Sequence, residues 1–177
     1  MRPAPHTTAS RSNPLNPIIE LTVYGQPAPQ GSKRAFAVRG KGGIPTGRVA
    51  VIESSHDRVK SWRQAVIDAA VALDGGLTEP VSLGVTFALP RPKGHYRTGR
   101  NAAQLRDTAP VWPAGKPDLS KLIRSTEDAL TDAGMWRDDS QVVQVNALKI
   151  YAGSMGRFLA VPGAHITIAM LDPAEGE

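Results

Sequence analysis

Three aspartates have the type and placement to do chemistry: Asp118, and the adjacent pair Asp138 and Asp139. Mg²⁺ prefers hard oxygen ligands in octahedral geometry and commonly takes only a few carboxylates, completing its shell with water and substrate phosphate. Two or three aspartates are enough for such a site, where a metal would activate water and stabilise charge on a phosphate. The charge around them fits a phosphate substrate. Between residues 27 and 63 eight Lys and Arg face only Glu53 and Asp57, and between 91 and 124 eight more face only Asp107 and Asp118. From 125 to 146 the sign reverses, with Glu127, Asp128, Asp132, Asp138 and Asp139 opposed only by Arg137. Basic stretches flanking an acidic island are what a metal-dependent phosphodiesterase needs, cations for the backbone and carboxylates for the metal. Plainer roles stay open for each piece: a helix N-cap for Asp118, a solvated turn for Asp138 and Asp139, and solvated loop charge for the cations.

The elements that must position these groups are legible in outline. Asp118 precedes an apolar stripe of Leu119, Leu122, Ile123, Thr126, Leu130 and Ala133, a helix that Gly134 ends. Asp138 and Asp139 fall between that helix and a strand over 141–151. Strands are also expected at 18–24, 81–89 and 164–171, with extended chain at 35–38 and 49–53 about a turn at 40–47. An earlier helix runs from a cap at Ser54 or Ser55 to about Leu73, with Val59, Trp62, Val66, Ala69 and Ala70 on one face. The order β-β-α-β-α-β-β predicts an α+β fold, two helices on a mixed or antiparallel sheet of about five strands. Residues 1–17 read as a flexible arm, 18–171 as the folded domain, 91–117 as a long basic loop within it, and 172–177 as an acidic tail.

Composition narrows the classes. The chain has 177 residues, 41% hydrophobic and 21% charged, a formal net charge of +5 and no cysteine. One domain with a real core is expected. Disulfides, thiolate zinc sites and cysteine nucleophiles are excluded. No run of about 18 apolar residues exists and 1–17 lacks the apolar stretch of a secretion signal, so a soluble, unexported protein with no membrane partner is expected. The basic balance, with a pI near 9.8, favours a polyanionic partner.

The joint pattern Lys116-Pro117-Asp118, Leu122, Asp128-Ala129-Leu130, Ala133-Gly134 and Asp138-Asp139-Ser140-Gln141-Val142 resembles the RusA family of Holliday junction resolvases. The early loop Gly25 to Arg34 and the strand lysine Lys149 extend the resemblance over roughly 18–171. It implies a dimeric, Mg²⁺-dependent endodeoxyribonuclease of phage and prophage type, with Mn²⁺ able to substitute. Such an enzyme makes paired nicks across a four-way or branched DNA junction in the bacterial cytoplasm, serving recombination, repair or phage DNA processing. Carried over by position, Asp118 and Asp139 match two of the family's three essential aspartates, with Asp138 supporting the metal. Arg124 stands where the family has an essential lysine and Lys121 where it has asparagine. Lys116, Lys121 and Arg124 would contact phosphate, while Lys33, Arg34, Arg97 and Arg100 would grip junction arms.

The third aspartate position is Ser120. A neutral hydroxyl removes one charge from the metal cage, so water-mediated coordination, compensation by Glu127 or Asp128, or reduced activity are the alternatives. Asp128 lies about 12 Å along the helix from Ser120, too far within one chain. Reach is tight for the aspartates as well. The helix from Asp118 to Ala133 travels about 22 Å, and the six steps on to Asp139 span at most about 20 Å. A twofold dimer that completes or spaces the sites is therefore expected. The competing reading is a junction-binding protein that has lost cleavage through Ser120.

Other motifs carry less. Gly31-Ser32-Lys33 lacks the Walker spacing for nucleotide hydrolysis, and the four histidines show no ligand spacing. Trp62 is expected in the core. Trp112 and Tyr96, in the basic loop, are placed to stack on unpaired bases or to cover the sheet.

Overall fold

The computed structural model describes residues 18–31, 33–53, 56–154 and 159–171. The expected arm at 1–17, the tail at 172–177 and the capping serines Ser54 and Ser55 lie outside them.

Among the described residues six strands and two α-helices form in the order β1 (Ile18–Tyr24), β2 (Lys33–Arg39), β3 (Pro45–Glu53), α1 (His56–Ala70), β4 (Val81–Leu89), α2 (Leu119–Asp132), β5 (Val142–Tyr151) and β6 (Gly163–Met170). The α+β class and the two helices on a mixed sheet are as expected. The strand arrangement differs in one respect. Four strands make the main sheet, ordered β1-β6-β4-β5, while β2 and β3 pair only with each other as a separate ribbon. Their pairing is antiparallel, Lys33 opposite Glu53 and Ala37 opposite Val49. Gly42, Gly43 and Gly47, all at positive φ, make the turn region compact enough for this return.

β4 is the axis of the fold. Its inward residues Val81, Leu83, Val85 and Phe87 are buried, alternating with partly covered Ser82, Gly84 and Thr86, because successive side chains point to opposite faces. The buried face meets Val59, Trp62 and Val66 of α1 and Leu122, Ala129 and Leu130 of α2, with Ile166 and Ile168 of β6 beside them. Trp62 is in the core as expected, its indole Nε1 donating to Thr126 Oγ1 at 3.2 Å. That hydroxyl in turn donates to the Leu122 carbonyl at 3.0 Å, so both polar groups of the helix contact are satisfied. Arg63 adds a rim clamp from α1 to Asp128 (3.2 Å) and Asp132 (2.6 Å) of α2.

Neighbouring strands run antiparallel except β4 and β5, which are parallel from Val81 opposite Val142 to Leu89 opposite Tyr151. Parallel neighbours require a crossover, and α2 is that crossover. It therefore starts beside the C-terminal ends of β4 and β5 and runs back to their N-terminal ends. Gly134, at φ +75°, ends it, and its carbonyl accepts from Gly76 N at 2.8 Å. A β-carbon on Gly75 would lie 2.6 Å from that same oxygen, so the close approach of the two helix ends needs glycine.

Candidate active site

Asp118 occupies the N-cap position of α2 with extended φ/ψ (−68°, 134°), yet its carboxylate makes no capping bond. Oδ2 instead lies 3.2 Å from Lys121 Nζ. The group is half exposed. The chain entering it is held from the sheet: Lys149 of β5 donates to the carbonyls of Gly115 (2.9 Å) and Pro117 (2.8 Å). The backbone of the early loop is fixed to the same end of α2 by Gln30 N donating to the Lys121 carbonyl at 3.1 Å.

Around Asp118 opens a pocket of about 810 Å³, with Arg58, Lys116 and Lys121 as its cations, loop 26–31 as one wall, and loop 110–117 with Tyr151 as another. The long loop that supplies this wall is ordered by its own bonds. Arg91 donates to the Pro110 carbonyl and lies 4.0 Å over the Tyr151 ring, and His95 packs edge-on against that ring at 5.5 Å. Arg97 is occupied by Asp107, at 2.9 and 3.1 Å, so it organises the loop. Arg100 is exposed at the loop's far turn. Lys33 and Arg34 open β2, at the base of the ribbon.

Asp138 and Asp139 divide their labour. Asp138 Oδ1 accepts from Ser140 N at 2.9 Å, and Gln141 Oε1 accepts from the backbone N–H groups of Arg137 (2.9 Å) and Asp138 (3.2 Å). This is a reciprocal capping box on the short 3₁₀ turn Asp139–Gln141. The bonds from Ser140 hold the Asp138 carboxyl below the usual carboxylate range. Gln141 Nε2 also donates to the Leu77 and Glu79 carbonyls, anchoring the turn to the segment that leads into β4. Asp138 is thus committed to the turn, and Asp139 is left exposed on it.

Asp118 and Asp139 do not meet within one chain. α2, 14 residues and about 21 Å long, lies between them, and the parallel register of β4 and β5 puts its two ends at opposite ends of the sheet. What Asp139 does approach is the second half of α2: its charge, after the larger effect of burial and together with Asp128, raises the Glu127 carboxyl above its ordinary range, while Arg124 opposes the shift. Ser120, Arg124 and Glu127 recur at helical spacing and share one face. Asp128, bound to Arg63, belongs to the helix clamp.

Carboxylates placed this way do not fit a divalent ion in a single chain. Asp118 faces an ammonium, Asp139 is remote, and among the described residues no group of three or more His, Asp or Glu is arranged to hold a metal.

Residues 25–161 match the family model described as endodeoxyribonuclease RusA. The chain belongs to the RusA family. Its match covers most of the folded domain, including both ends of α2, the pocket and the β2–β3 ribbon. A Bacillus subtilis (strain 168) relative, "Uncharacterized protein YqaN", is 28% identical over 134 residues, covering 76% of this chain and 88% of the relative. RusA membership supports nuclease activity, in a family whose members generally depend on a divalent metal. Among the described residues no helix is long and apolar enough to cross a membrane.

Sequence reasoning did not reach Arg58, Gln30, His95 or Tyr151 as parts of the site. They come from four separate segments, and the only prior signal was that Gln30 lies in the early loop shared with the family. Lys149 was legible by resemblance alone; its bonds give the physical reason for a lysine there.

Proposed function

We propose that this RusA-family chain is a Mg²⁺-dependent, structure-specific endodeoxyribonuclease that nicks four-way or branched DNA in pairs as a homodimer. The observation that carries the reading is Asp118, uncapped and half exposed at the mouth of a cationic pocket, with the preceding backbone held by Lys149. Lys116, Lys121 and Arg58 can seat a phosphate beside this carboxylate. Because one chain separates Asp118 from Asp139, the two acids must come from different copies if they act on one phosphate. A twofold dimer would set Asp118 of one copy beside the Asp139 and Arg124 face of the other, and would present two such sites to opposed strands of a junction. Mn²⁺ substitutes in this reading, and the setting is phage or prophage DNA recombination and repair in a bacterial cytoplasm.

Ser120 favours a second reading, a junction-binding protein that does not cut. Both readings give salt-sensitive junction binding, but only the first gives Mg²⁺-dependent nicks. A synthetic four-way junction incubated with Mg²⁺ and the wild type, Asp139→Asn or Ser120→Asp separates them. Paired nicks by the wild type, lost in Asp139→Asn, support the nuclease. A silent wild type that Ser120→Asp awakens supports the binder. Cleavage by a protein that stays monomeric on the junction would sink the dimer.

A further inference from the structure

The pocket beside Asp118 holds more than a phosphate needs. Its volume of about 810 Å³ lies within the range of about 300–1,000 Å³ that accommodates a whole drug-sized molecule. Trp112, at the pocket, is 53% exposed, which leaves an amphipathic ring open to a partner. The pocket is also lined by Gln30 and His95, and each has a buried polar atom, Oε1 and Nδ1, that finds no hydrogen-bond partner among the described residues. Buried polar atoms normally find partners, and leaving one without costs stability. The Arg91, Tyr151 and His95 stack keeps the His95 ring in place.

An aromatic face, polar side chains and flanking cations together match the chemistry of a nucleotide. A paired and stacked base cannot enter such a concavity, whereas an extruded one is read by stacking and by bonds to its edge. We propose that this pocket takes up one unstacked nucleobase from the branch point of a DNA junction, stacked on Trp112 with its edge groups reaching Gln30 and His95, while Lys116 and Lys121 hold the adjoining phosphate at Asp118. The inference rests on the junction-nuclease reading and deepens it: the pocket recognises the branch by capturing a base that only a branch releases cheaply, and it contacts the base identity next to the cut.

The test uses the full chain, without Mg²⁺, on four-way junctions carrying 2-aminopurine at each nucleotide flanking the exchange point, with a linear duplex of the same sequence as reference. Fluorescence of this base rises when it unstacks and changes again when an indole covers it. At saturating wild-type protein, at least one junction position is expected to change emission while the duplex does not. Trp112→Ala should abolish that change and lower junction-over-duplex selectivity by about 5- to 150-fold, the worth of one stacked base. Trp112→Phe should restore much of both, and Gln30→Ala should alter which base at that position is preferred. A junction-selective wild type whose probes all stay stacked, or a Trp112→Ala protein that gives the wild-type signal, overturns the pocket and leaves the nuclease reading standing. A wild type with no preference for junction over duplex overturns both.

Discussion

Lys149 and Pro117 are joined by a 2.8 Å hydrogen bond, ammonium to carbonyl, across 32 residues of chain. With the companion bond to Gly115, it makes the edge strand β5 the support on which Asp118 is mounted. The lysine contributes position here, since its donors are turned to the backbone of the loop.

Lys149→Met should therefore reduce junction cleavage by roughly 10- to 100-fold, because displacement of a reacting group by about 1 Å is enough for that loss. The two carbonyls stay within reach of water, so the stability cost should be small beside the loss of rate, about 1–3 kcal/mol at most. Single-turnover cleavage and urea unfolding, run on the same protein, check both halves. Equal losses from Lys149→Met and Lys149→Arg would point to a shape requirement that charge does not meet.

Asp138 and Asp139 should part company on mutation. Asp138→Ala removes a capping box and is expected to lower the unfolding midpoint; Asp138→Asn should recover most of the loss, because asparagine also caps. Asp139→Asn is expected to abolish nicking without lowering the unfolding midpoint. Denaturant melts paired with cleavage assays decide, and an Asp138→Asn protein as inactive as Asp139→Asn would show that Asp138 acts in the chemistry as well.

Burial and the neighbouring carboxylates raise the Glu127 carboxyl, so its ionisation opposes folding. A raised folded-state value means that its favourable contribution is complete below the ordinary glutamate value of 4.5 and fades as pH rises past it. Glu127→Gln should accordingly stabilise the isolated protein at neutral pH, and the gain should vanish on acidification below about that value. Thermal melts from pH 3 to 8 measure it; a gain that persists at pH 3 would assign the effect to packing. Asp139→Asn should reproduce part of the same stabilisation, since it removes one of the charges responsible.

Thr126 satisfies the indole of Trp62 at the centre of the helix contact. Thr126→Val keeps the shape but leaves the indole N–H unpaired, at a cost of about 1–3 kcal/mol. Thr126→Ser should be milder, because it loses only a methyl group. Chemical denaturation followed by intrinsic tryptophan fluorescence reports the difference.

The sequence alone determined the parts whose causes are local. The alternation of 81–89, the apolar stripe of 119–133 and the glycine after it are set by backbone periodicity and sterics, and they emerged with boundaries within a residue or two. The placement of Asp118 just ahead of a helix, and the Asp-x-x-Gln spacing that builds the turn carrying Asp139, are equally local. The separate β2–β3 ribbon was half visible, as two extended stretches about a glycine-rich turn, but nothing in the stretches themselves says that they pair apart from the main sheet. Tertiary structure alone decided that β4 and β5 are parallel, and with that single non-local choice it set the Asp118 end of α2 by the C-terminal ends of those strands and the Asp139 end by their N-terminal ends. It likewise gathered Gln30, Arg58, His95, Trp112 and Tyr151 around Asp118. Strand direction and pocket walls depend on which distant surfaces bury one another, and no window of neighbouring residues carries that information.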